Sequence, residues 1–204
     1  VVLVANHESW WDGFLLRRVQ RSLRPDARFH AVMLQRELSP RPFLRLLGGI
    51  GVEPGSVSST RGLLRTLERL RVDDPSGVLA YFPQGEIRPG SSGPLGFRRG
   101  VLRVIEAMAP AHVLPVGIRV LPGASHRQDA FLSVGEALPS SDPDAASLPL
   151  LEAAVAEELA AIDAFVDRHA EGAASRWLDT PLRLPRAPER TWSPRDTGNW
   201  ISRN

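Results

Sequence analysis

Short apolar runs that end in polar or glycine-containing turns, each followed by a segment of helical spacing, recur along this chain. Val1-Val2-Leu3-Val4-Ala5 leads into Asn6-His7-Glu8-Ser9-Trp10-Trp11-Asp12 and then an amphipathic stretch from Gly13 to Leu23. Val78-Leu79-Ala80-Tyr81-Phe82 leads into Pro83-Gln84-Gly85-Glu86, a glycine-rich loop from Pro89 to Gly96, and a helix from about Arg99 to Met108. Apolar, β-branched runs without polar alternation suit strands buried on both faces, as in parallel sheets covered by helices. The alternation predicts an α/β fold: a single domain with a mostly parallel central sheet flanked by helices.

The other segments fit this scheme. Arg28 to Leu34, Ile50 to Glu53, His112 to Val120 and Ala130 to Val134 read as strands. Pro42 can open a helix through Leu47 that stops at Gly48-Gly49. Ser59 or Thr60 can cap a helix carrying Leu63, Leu64, Leu67 and Leu70, ended by Asp73 to Gly77. Ser140 to Pro149 is linker-like, and Leu150 to His169 is a long amphipathic helix. The expected organisation is a domain over residues 1–171 and a proline- and tryptophan-containing tail over 172–204, either wrapped on the domain or free, with Trp177, Trp192 and Trp200 favouring docking. Val1 already sits inside a strand, so upstream chain is expected.

Composition narrows the chemistry. All 25 basic residues are arginines, and there are no cysteines. P-loop and Schiff-base lysines, thiolate nucleophiles and cysteine-bound zinc are therefore excluded. A formal charge of +2 gives no field that argues for nucleic acid. His30, His112, His126 and His169 lack ligand spacing, so no metal is expected. No run approaches the roughly 20 apolar residues of a membrane span.

In parallel α/β sheets, ligands bind at the carboxyl ends of strands. Three such ends are polar or glycine-rich: Asn6 to Asp12, Gly51 to Ser56, and Phe82 to Arg88. If the chain bends between His7 and Asp12, the carboxylate can fix one ring nitrogen and leave the other as a base.

Asn6-His7-x-Ser9-x-x-Asp12 resembles the first block of the glycerolipid acyltransferase family, the PlsC-like 1-acylglycerol-3-phosphate acyltransferases. Phe82-Pro83-Gln84-Gly85 resembles its third block, and Val113-Leu114-Pro115-Val116 its fourth. Gly49 to Glu53 occupies the place of the second, and the similarity covers roughly residues 2 to 135. The resemblance implies acyl transfer from acyl-CoA or acyl-ACP, as co-substrate and without a further cofactor, to a hydroxyl of a lysophospholipid or related lipid alcohol. It implies His7 as base, Asp12 as its orienting acid, and Asn6, Ser9, Gln84, Gly85, Glu86 and Arg88 at the substrate, with backbone N–H groups near Gly85 as oxyanion donors. It also implies a peripheral protein on the cytoplasmic side of a membrane. Gln84 stands where the family has glutamate, Arg88 falls one place late, and Pro54 replaces the second block's arginine. These departures bear on the acceptor: one without phosphate (a carotenoid, glycolipid or amino-acid lipid) is the alternative, as is a non-catalytic lipid-binding relative.

Other pairs of roles stay open. Asp12 can serve as a first-turn helix carboxylate, and Ser9 as a cap or a nucleophile. Glu86 can be an acid/base group or the partner of Arg88. Arg61, Arg65 and Arg69 can meet anionic lipid or solvent. Trp10 and Trp11 are expected in the core, with an acyl channel or membrane interface as the alternative.

Overall fold

A computed structural model describes residues 1–90, 93–122, 128–139, 147–170 and 200–202. The chain forms β1 (Val2–Ala5), α1 (Asp12–Leu23), β2 (Phe29–Leu34), α2 (Gln35–Leu38), α3 (Phe43–Leu46) and β3 (Gly49–Val52). It continues with α4 (Val57–Asp73), β4 (Val78–Tyr81), α5 (Gly100–Met108), β5 (His112–Pro122), β6 (Gln128–Val134), β7 (Leu138–Pro139), α6 (Leu148–Ala170) and β8 (Trp200–Ser202).

The fold is α/β, with one sheet of order β3-β2-β4-β1-β5-β6-β8 and β7 also on β5. From β3 through β5 all neighbours are parallel; β6, β7 and β8 add antiparallel. Leu3 lies between Ala80 and Leu114, so β1 is central and fully buried, as its unbroken apolar run requires. Val2 and Val4 face a core built with Leu67 of α4, Val101 of α5 and Val155 of α6; Leu3 and Ala5 face one built with Leu16 and Val19 of α1. Each fully buried Leu or Val contributes about 1.5–3 kcal/mol.

The parallel set sends the exits of β1, β3 and β4 to one edge. α6 covers β5 closely: a Cβ at Gly117 would lie 2.8 Å from the backbone carbon of Glu158 and 2.9 Å from the Leu159 nitrogen.

Some expectations change. The cap of α4 is Ser56, whose hydroxyl accepts the Ser59 N–H, while Ser59 Oγ accepts the N–H of Glu53. α2 had no sequence signal. Of the linker expected over Ser140 to Pro149, residues 140–146 lie outside the described residues, while Leu148 and Pro149 already belong to α6; His126 and the tail, apart from β8 paired on β6, also lie outside them. Among the described residues, no helix is long and apolar enough to cross a membrane.

Candidate active site

Where β1 ends, Asn6 continues its ladder with a side chain. Asn6 Nδ2 donates to the Ile118 carbonyl at 2.9 Å, and its Oδ1 accepts the Ile118 N–H at 2.8 Å. Expected at the substrate, Asn6 is instead buried and pins the following turn to β5.

That turn folds back so that His7 and Asp12 meet. His7 Nδ1 lies 2.8 Å from Asp12 Oδ2; Asp12 is 0% exposed and His7 21%. A carboxylate accepts, so Nδ1 carries the proton and Nε2 keeps the lone pair. Asp12 Oδ2 also accepts the N–H groups of Glu8 (2.7 Å) and Ser9 (2.9 Å), and Oδ1 accepts the Ser9 hydroxyl at 2.5 Å. As the first residue of α1, Asp12 also sits where a helix favours negative charge. Ser9 Oγ accepts the Trp11 N–H at 3.2 Å, so Ser9 braces Asp12 within the turn.

The loop after β4 holds His7 from the other side. Gln84, buried, accepts the His7 N–H on Oε1 at 2.6 Å, and the Arg88 N–H donates to the His7 carbonyl at 2.7 Å. Phe82 stacks on the imidazole with centroids 4.3 Å apart and planes at 19°. Gly85 adopts φ +69°, against which Arg98 packs, and its N–H donates to the Phe82 carbonyl at 3.1 Å. The Gly85 N–H is thereby engaged within the turn.

Glu86 receives Arg88 in a fork, from Nε at 2.9 Å and Nη2 at 2.6 Å, and Arg98 stands 4.0 Å away. Hydrogen bonding to Arg88, then its charge, holds the Glu86 carboxyl below its ordinary value. Arg88 Nη1 further donates to the Leu95 carbonyl at 3.3 Å. The geometry is that of the paired loop carboxylate.

A family model described as Acyltransferase matches residues 1–119, from the start of β1 into β5. The chain belongs to the acyltransferase family. This is the family of PlsC-type glycerolipid acyltransferases. No curated protein matches the chain closely enough to count as a relative.

Within this acyltransferase, Glu8 carries a role its position in the sequence does not announce. Buried next to His7, it accepts Arg119 Nη1 at 2.5 Å and the Val120 N–H at 3.1 Å. Arg119 forks onto Asp163 of α6 at 2.9 and 3.0 Å. The hydrogen bond to Asp163, with a further one to Glu8, raises the Arg119 pKa despite burial. The His7 turn is thereby tied through β5 to α6.

Trp10 and Trp11, expected in the core, are exposed. They pack edge to face at 5.1 Å beside Phe14. Arg61, Arg65 and Arg69 lie on the solvent side of α4. Two open grooves, one along α6 by Arg119 and one by Arg17 and Arg45, do not include His7. Among the described residues, no group of three or more His, Asp or Glu side chains could hold a metal ion.

Proposed function

We propose that this acyltransferase moves a fatty acyl group from an acyl thioester, acyl-CoA or acyl-ACP, to the hydroxyl of a lysophospholipid or related lipid alcohol. The observation that carries this reading is His7, about one-fifth exposed and bound through Nδ1 to a buried carboxylate that itself receives three further donors. Nε2 takes the acceptor's proton as its oxygen attacks the thioester carbonyl. Asp12 keeps the tautomer and stabilises the imidazolium until the proton leaves with the thiol. General-base help of this kind contributes about 10²–10⁴ in rate. No cofactor beyond the acyl thioester is invoked, no nucleic acid enters, and the protein works peripherally at the cytoplasmic face of a membrane.

The fork between Glu86 and Arg88 supports a second acceptor class. A guanidinium already matched by a carboxylate has less charge to offer a phosphate. A carotenoid, glycolipid or amino-acid lipid hydroxyl fits that balance better than a phosphomonoester.

The test is one labelled acyl thioester offered with lysophosphatidic acid and with phosphate-free lipid alcohols, to the parent and to His7→Ala. Transfer that disappears with His7 supports the mechanism, and the favoured acceptor decides between the classes. No transfer to any acceptor, with lipid binding that survives His7→Ala, would make the protein a non-catalytic lipid binder.

A further inference from the structure

We infer that α1 and α3 form a docking surface for an anionic bilayer, which brings the lipid hydroxyl to His7 from the membrane side. The inference rests on the lipid acceptor proposed above and adds where the protein touches the membrane. Trp10 (41% exposed), Trp11 (59%), Phe43 (49%) and Leu46 (89%) stand uncovered within one stretch of chain. Arg41 lies 5.9 Å over the Trp10 ring and joins the approach to α3 to the start of α1. Phe43 and Leu46, three apart, share a side of α3.

Charge accompanies the apolar groups. Phe14, Arg17, Arg18 and Arg21 run down the side of α1 away from buried Leu16 and Val19. Arg17, Arg21, Arg45 and Leu46 line one open groove of about 790 Å³. The same groove is also lined by Arg28, Arg69, Asp73 and Asp74, the last engaged by His30 at 3.2 Å, so its cations outnumber its acids. Among the described residues, Arg17, Arg18, Arg21 and Arg45 have no acidic partner, and the sole acid of α1 is buried Asp12. Exposed indole rings seat at the headgroup level, and unpaired guanidinium groups attract anionic lipid. Trp10 and Trp11 belong to the very turn that joins His7 to Asp12, so their depth sets that of the base.

The test is sedimentation of the chain with vesicles of phosphatidylcholine alone or mixed with phosphatidylglycerol, for the parent, Trp10→Ser/Trp11→Ser, and Arg17→Gln/Arg21→Gln/Arg45→Gln. The parent is expected to prefer the anionic vesicles. The arginine variant should bind them about a hundredfold more weakly, from about fivefold per cation, while keeping its rate on a water-dispersed short-chain acceptor. The tryptophan variant should bind both compositions more weakly. Vesicle binding unchanged in both variants would overturn the surface. So would loss of binding to an acidic acyl carrier protein with vesicle binding intact, which would make this face a carrier-protein site. Patch-dependent vesicle binding without any acyl transfer would leave the docking surface standing and remove the proposed reaction.

Discussion

The side-chain oxygen of Gln84 accepts the backbone N–H of His7 at 2.6 Å, across 77 positions of sequence. One amide thus locks the exit of β4 to the exit of β1 at the backbone of His7. In Gln84→Ala the His7 N–H loses its partner, at about 1–3 kcal/mol, before any cavity term. A slackened base should also reduce kcat about a hundredfold. Gln84→Glu retains an acceptor oxygen and should restore the rate to within about tenfold of the parent. Urea denaturation and steady-state turnover check both, and an alanine variant with parental kcat would remove the positioning role.

Asp12→Asn and Asp12→Ala should part company. The asparagine oxygen can replace Oδ2 for His7 Nδ1 and the N–H groups of Glu8 and Ser9, while its NH₂ meets a Ser9 hydroxyl free to rotate. The turn survives, and what is lost is the charge facing the imidazolium. We expect a near-parental Tm and a kcat lower by about 10²–10⁴. Asp12→Ala orphans the donors, at about 1–3 kcal/mol each, and should lower Tm as well. Equal Tm values for the two variants would contradict this partition.

Much of this framework is legible in the chain because its cause is local. The runs at Val2 and Val78 are too apolar for anything but buried strands, and His7 and Asp12 lie within one turn. What escapes depends on distant partners. Nothing near Glu8 indicates Arg119, 111 residues away. Ser56, Ser58, Ser59 and Thr60 are all competent caps, and only the path out of β3 selects Ser56. Aromatic character alone places Trp10 and Trp11 inside; their exposure follows from Asp12, Leu16 and Val19 taking the buried side of α1. α2, four residues long, is too short to display a period.

The pair of Glu8 and Arg119 should show strong coupling. Arg119→Met strands the buried Glu8 carboxylate, at about 3–5 kcal/mol, whereas Asp163 is half exposed and can resolvate. Glu8→Gln still offers an oxygen to the Val120 N–H and should cost less. The double variant should recover most of the arginine variant's loss, because no charge remains buried. A double-mutant cycle in urea measures this, and additive losses would mean that the pair is not energetically coupled.

Glu158 yields a prediction in pH. On α6, above Gly117 and Gly135, its carboxyl is pushed up mainly by burial, with Glu157 adding to the rise and the bond from Ser133 opposing it. The folded state then holds the proton more tightly than the unfolded chain, whose value lies near 4.5. The contribution of Glu158 to stability is therefore greatest below that value, falls as pH rises through the raised folded value, and stays lower beyond it. Glu158→Gln removes the ionisation and keeps an oxygen for the Ser133 hydroxyl. Its Tm should exceed the parent's at neutral pH, and the advantage should vanish as pH drops below about 4.5. Thermal melts of both proteins across this range provide the check. A constant offset at every pH would show that packing against β5 and β6, rather than the charge, sets the contribution of Glu158.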